Sequence, residues 1–289
     1  MKWRRRARSR DLIDRRGQRS FGPAAIGAGL GIPGLLVILL VFILGGGDGA
    51  VSGIDDVLGD LNSSQNPADG LPPEQDPDAR LVDFISFVLD DAQNFWADTF
   101  RQSNKAYERA KLVVFTDATR SACGSATSQI GPHYCPLDQH VYLDLGFFRE
   151  LRSRFEAPGD FAQAYVLAHE IGHHIQTVLG IHQHVRSQQE ESPGKANELS
   201  VRMELQADCL AGVWAFSTYE RELLESGDLQ EGLAAAAAVG DDRIQRQAGV
   251  EVNPETWTHG SSDQRVHWFK RGFENGDPNE CDTFSGDEI

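Results

Sequence analysis

The chain has 289 residues, 40% of them hydrophobic, a net charge of −16 and four cysteines. That length and apolar content exclude a wholly disordered chain and allow one large domain or two small ones. The charge is uneven: residues 1–21 hold nine Lys or Arg against Asp11 and Asp14, and the 18 basic and 41 acidic residues beyond them give −23, a body that repels phosphate backbones, so no nucleic-acid partner is expected.

The stretch 1–21 reads as a basic arm on the cytoplasmic side of a membrane. Residues 22–44 read as one transmembrane helix. Ala24 to Leu44 carries no charge, and 21 residues at about 1.5 Å each span about 31 Å, close to the bilayer core of about 30 Å. Positive charge before the span predicts a cytoplasmic N-terminus and an extracytoplasmic body anchored to the cytoplasmic membrane by a single pass. A cleaved signal peptide is the competing reading, but the apolar run is longer than such peptides use. Residues 45–80, rich in Gly, Asp, Asn and Pro, read as a flexible linker to a domain over 81–289.

Within that domain, apolar spacing predicts a helix from Leu81 to about Arg109, with Phe84, Phe87, Val88, Phe95 and Trp96 on it. Short strands are predicted at Lys111–Phe115 and Gln139–Asp144, separated by a Ser121–Pro136 loop. The second strand is a candidate edge for pairing with an extended peptide. A helix from Phe161 to Leu179 is predicted, capped by Asp160 and stopped by Gly180. Others are predicted at about Asn197–Leu224 and from Ala234 to about Gln247, with Trp257, Trp268 and Phe269 as core anchors. Helices outnumber strands, so the fold class is α+β with helical weight. Cys123, Cys135, Cys209 and Cys281 all lie in the body. Three pairings are possible; Cys123 with Cys135 would close a short loop, leaving Cys209 with Cys281.

The chemistry centres on Ala168-His169-Glu170-Ile171-Gly172-His173-His174. Residues four apart on a helix differ by about 40° around its axis and about 6 Å along it. His169 and His173 therefore project from one face and can share a metal. Glu170 sits beside that face, placed to take a proton from a water on the metal rather than to bind the metal itself. His174 points about 140° away from His169 and is not a ligand. A catalytic zinc needs three protein ligands and an open position. A histidine-terminated extension of the motif fails, because Gln176 and Leu179 stand where it needs Gly and His. Glu204 is the best third ligand, since it lies on a largely apolar helix where an acid needs a partner. Asp208, one turn on, suits a hydrogen bond to a zinc-bound imidazole. His259, before the small-residue turn Gly260-Ser261-Ser262, is the first candidate donor to an oxyanion, and Tyr165 the second. His182 and His184 offer a weak extra metal site. Asp241-Asp242 reads either as a cation site or as a helix-linked pair.

Several segments together resemble a known family, the neutral zinc metallopeptidases of bacteria: Ala122-Cys123-Gly124-Ser125, Gly131-Pro132-His133-Tyr134-Cys135-Pro136, Val141-Tyr142-Leu143-Asp144, Ala164 to Glu170, Glu204-Leu205-Gln206-Ala207-Asp208-Cys209, Gly240-Asp241-Asp242, and His259 to Ser262 with Trp268-Phe269. The resemblance covers about residues 80–289. It implies a zincin-like fold, one zinc ion held by His169, His173 and Glu204, and a peptide or protein substrate. Two other functions fit the same residues: a cell-envelope binding or assembly module that keeps its zinc for stability, and a zinc amidase acting on cell-wall amides.

Overall fold

The computed structural model describes residues 1–17, 76–153 and 159–285. In chain order it has β1 (Leu12–Asp14), α1 (Ala79–Gln102), β2 (Lys111–Phe115), β3 (Ala118–Ser121), β4 (Gly124–Thr127), β5 (His133–Cys135) and β6 (His140–Asp144). There follow α2 (Gly146–Ser153), α3 (Asp160–Val178), α4 (Ile181–Glu191), α5 (Ala196–Glu220), α6 (Asp228–Ala238), α7 (Asp241–Gln247) and α8 (Ser262–Asn275). The class is predominantly helical α+β, as expected. The apolar span 22–44 lies outside the described residues, as does the linker up to residue 75. Among the described residues no helix is long and apolar enough to cross a membrane.

α1 forms because Val82, Ile85, Leu89, Ala92, Trp96 and Phe100 recur every three to four residues, and all are buried. It stops at Gln102, short of Arg109, where Asn104 takes a left-handed backbone (φ 54°). β2 lies where expected, between β1 and β6 in a four-stranded sheet of order β1-β2-β6-β5. β1, β2 and β6 run parallel, and β5 runs antiparallel to β6. β6 is therefore internal, not the free edge expected for peptide pairing. Its Val141 and Leu143 are fully buried. The expected Ser121–Pro136 loop instead contains most of the β3–β4 hairpin and β5. Disulfides join Cys123 to Cys135 and Cys209 to Cys281.

The N-terminal segment departs furthest from expectation. Residues 1–17 pack on the domain instead of forming a separate basic arm. Leu12, Ile13 and Asp14 pair in register with Leu112, Val113 and Val114. Arg16 is buried between Asp14 and Asp76, Arg5 and Arg8 pair with Asp83 of α1, and Asp11 takes Arg109 and Lys111. Trp3 packs against Phe84 and Phe87. Arg5, Arg8 and Arg16 thus meet carboxylates distant in sequence. This packing also corrects the linker at its C-terminal end, since Asp76 is buried and α1 begins at Ala79.

α3 runs through the middle of the helical layer, packed on α1, α5 and α6. Fifteen of its nineteen residues are buried, so it is apolar nearly all round except at the site. Asp160 does not cap it. Gly159 holds the cap position, and the Asp160 carboxylate instead accepts a hydrogen bond from the Met1 amino group at 2.7 Å. Gly180, left-handed at φ 77°, separates α3 from α4. α5 ends at Glu220, with Glu222 at φ 57°. The helix expected over 234–247 is two, α6 and α7, broken at Gly240, whose backbone is extended (ψ 140°).

Candidate metal centre

α3 supplies His169, Glu170 and His173; α5 supplies Glu204 and Asp208. The two helices approach closely at Gly172, where a Cβ would stand 2.9 Å from the Ala207 carbonyl oxygen and 3.0 Å from its Cα. Only glycine permits this spacing, and the spacing brings the Glu204 carboxylate to both imidazoles. His169 Nε2 lies 3.2 Å from Glu204 Oε2, and His173 Nε2 lies 3.3 Å from Glu204 Oε1. Tetrahedral zinc with donors at about 2.1 Å separates neighbouring donors by about 3.4 Å. The three residues therefore fit zinc in donor type, number and spacing, and all are mostly buried.

The candidate ligands are held from behind. Asp208 Oδ1 lies 2.8 Å from His169 Nδ1, which fixes that ring with Nε2 toward the centre. His173 Nδ1 lies 2.9 Å from Gln176 Oε1, and the Gln176 amide donates to the Met203 carbonyl at 2.7 Å and to Gln206. Gln176, which stands where the longer motif needs Gly, is thus the partner that orients the second histidine. Arg265 of α8 sits beneath the centre, buried, and donates to Asp208 through Nε at 2.7 Å and Nη2 at 3.0 Å. It reaches Asp208 because α8 and α5 meet at a glycine pair: a Cβ on Gly212 would lie 2.1 Å from the Phe269 carbonyl oxygen, and one on Gly272 2.0 Å from that of Cys209. The Cys209–Cys281 disulfide ties α5, one residue from Asp208, to the C-terminal segment.

Charge follows from this packing. Burial opposes ionisation of Glu204, but His173 and His169 outweigh it and hold the carboxyl well below the usual range. Burial likewise opposes ionisation of Asp208, and Arg265 and His169 overcome it and lower its pKa. For His169 burial opposes the charged form, yet Asp208 and Glu204 raise its pKa to about 10. A metal therefore competes with a proton for that imidazole. Glu170 is 6% exposed, and its Oε2 has no hydrogen-bond partner among the described residues. A buried carboxylate oxygen left unpaired costs about 1–3 kcal/mol or more, which is expected of a group whose partner is a reactant.

His259 and Asp241 form a pair at the rim. Asp241 Oδ2 accepts from the backbone N–H groups of Thr258, His259 and Gly260, and its Oδ1 lies 3.2 Å from His259 Nδ1. Asp241 is thus bound by the turn that carries His259. Burial opposes a charge on His259, but the Asp241 hydrogen bond and the Glu204 charge raise its pKa. Tyr165, the second donor candidate, is withdrawn: its hydroxyl donates to Asp208 and the ring is fully buried. His174 is a core residue, its Nδ1 bonded to the Tyr134 hydroxyl and its Nε2 to the Glu108 carbonyl. His182 and His184 make no metal cluster among the described residues, and neither does Asp242, which accepts from Ser262.

A family model described as "Putative neutral zinc metallopeptidase" matches residues 1–284. The chain is 44% identical over 289 residues to "Uncharacterized protein YpfJ" of Escherichia coli, covering 98% of this chain and 99% of the relative. It is 47% identical over 194 residues to an uncharacterized protein of Mycobacterium tuberculosis, covering 63% of this chain and 65% of the relative. No solved structure matches the chain.

Proposed function

The chain belongs to the neutral zinc metallopeptidase family, and from that premise we propose that it hydrolyses peptide bonds of protein or peptide substrates with Glu170 as general base. His169, His173 and Glu204 would hold one zinc ion. Zinc, when bound, supplies a Lewis acid that polarises the scissile carbonyl and makes water a nucleophile near neutral pH. Glu170 takes a proton from the attacking water through its unpartnered oxygen and returns it to the leaving amine. His259, kept charged by Asp241, donates to the carbonyl oxygen as negative charge builds there. Asp208 and Gln176 keep the two imidazoles aimed, so no reorientation is needed on binding or release. The two disulfides support an oxidising compartment as the place of work.

The observation that carries the reading is the convergence of three zinc-type donors beside a buried, unpartnered Glu170 oxygen. Zinc quantification together with a proteolysis assay tests it. Wild type should hold about one zinc and cleave; Glu204→Ala should lose the metal; Glu170→Gln should keep the metal and lose cleavage. Equal cleavage by wild type and Glu170→Gln would refute the proposal. Full zinc with no cleavage by wild type against a broad peptide library would favour the binding-module reading.

A further inference from the structure

His182 stands at the start of α4, two residues past the turn at Gly180, and α4 lies against α3. Its ring centroid is 6.0 Å from that of His173 and 6.2 Å from that of Tyr134 on β5. It thus borders the metal centre on the His173 side, whereas His259 lies in the turn before α8 and influences Glu204. Its Nε2 is buried and has no hydrogen-bond partner among the described residues. It shares that condition with Glu170 Oε2, and the two residues are on neighbouring elements at the same site.

Two ordinary roles do not account for this nitrogen. As a metal ligand it falls outside the set: the donor atoms within 4.8 Å of one another are those of His169, His173 and Glu204. As packing it is a poor choice, because an unpaired buried polar atom costs about 1–3 kcal/mol that an apolar side chain of similar size would avoid. What remains is a hydrogen-bonding group whose partner arrives from outside. We propose that His182 is a substrate-binding residue, its Nε2 hydrogen-bonding to the main chain of the peptide beside the scissile bond on the His173 side of the centre. This rests on the peptidase reading above and assigns that site a second imidazole that touches substrate without touching the metal.

The test uses the full, zinc-loaded chain and two probes. Acetohydroxamate carries a zinc-binding group alone; a peptidyl hydroxamate adds a peptide main chain to the same group. His182→Leu should weaken the peptidyl hydroxamate about tenfold, the usual value of one hydrogen bond. It should leave acetohydroxamate affinity and zinc content unchanged. His182→Asn, which keeps a donor near that position, should recover part of the loss. In ¹⁵N-histidine spectra of wild type, the His182 Nε2 resonance should move with the peptidyl probe and stay put with acetohydroxamate. Equal binding of the peptidyl probe by wild type and His182→Leu overturns the proposal, as does loss of zinc from the variant. If neither hydroxamate binds zinc-loaded wild type, the peptidase reading itself fails, and that outcome is separate from the other two.

Discussion

Gly172→Ala adds one methyl group at the contact that sets the distance between α3 and α5. The new carbon would stand 2.9 Å from the Ala207 carbonyl oxygen, 3.0 Å from its Cα and 3.2 Å from its Cβ. Carbon contacts settle at about 3.5–4.0 Å, so the helices must part by about 0.5 Å. Overpacking of this kind costs about 1–3 kcal/mol, while alanine in place of glycine inside a helix returns about 1 kcal/mol. The net change in stability is thus about 0–2 kcal/mol, and the melting temperature is a weak reporter. Zinc affinity is a sharper one. Glu204 lies three residues before Ala207 and moves with it, and metal sites tolerate about 0.2 Å in ligand distance. A loss of about tenfold or more in zinc affinity is expected, the lower end of what disturbed ligand support produces. Competition against a zinc chelator at fixed pH measures it. Adding Ala207→Gly to Gly172→Ala removes the Cβ contact but not the backbone ones, so it should restore only part of the affinity. Wild-type zinc affinity in Gly172→Ala would refute the argument that this glycine sets the site.

Arg265→Met should destabilise the domain by about 3–5 kcal/mol, because it strands the buried Asp208 carboxylate, and adding Asp208→Asn should recover part of that loss in a thermal melt. Loss of the Cys209–Cys281 bridge, which spans 72 residues, should cost more than loss of Cys123–Cys135, which spans 12; chain entropy gives about 4.4 against about 2.8 kcal/mol, readable as urea midpoints of the two double Cys→Ser variants. The order reverses only if the loop-closure account is wrong here. His174 is fully buried and its pKa is lowered, chiefly by burial. The unfolded chain then binds a proton that the folded one refuses, so its contribution is intact above about pH 6.5 and declines as pH falls below it. His174→Gln should therefore flatten the fall in stability between about pH 6.5 and 5 relative to wild type, and parallel curves for the two proteins would rule this out.

Some of the site is local and therefore legible in sequence. His169, Glu170 and His173 sit within one helical turn, and the 3.6-residue period alone puts the imidazoles on one face. Glu204 and Asp208 required one more step, an acid in an apolar helical context, and the structure brings both to His169. Both disulfide pairs were likewise within reach, since the short Cys123–Cys135 loop leaves a single partner for Cys209. Arg265 could not be found this way. It lies 57 residues beyond Asp208 and joins it only because Gly212 and Gly272 let α5 and α8 touch. Gln176 was visible but misleading, because its role depends on the α5 carbonyl it donates to.

The N-terminal segment shows the same division most plainly. Nine cations in 21 residues describe a solvated arm as long as their partners are unknown. Asp76 and Asp83, acids just before and on α1, pair with Arg16, Arg5 and Arg8, and Leu12–Asp14 joins the sheet as a strand. The sequence by itself determined the zinc-type donors of one helix, the acid proposed as general base and the helices that bear them, because each is set by neighbours within a few residues. Only the tertiary structure decided how close those helices stand, which buried charge steadies Asp208 and which strand lies at the sheet's edge. Those are properties of pairs of surfaces, and nothing in either surface's own stretch of chain specifies the other.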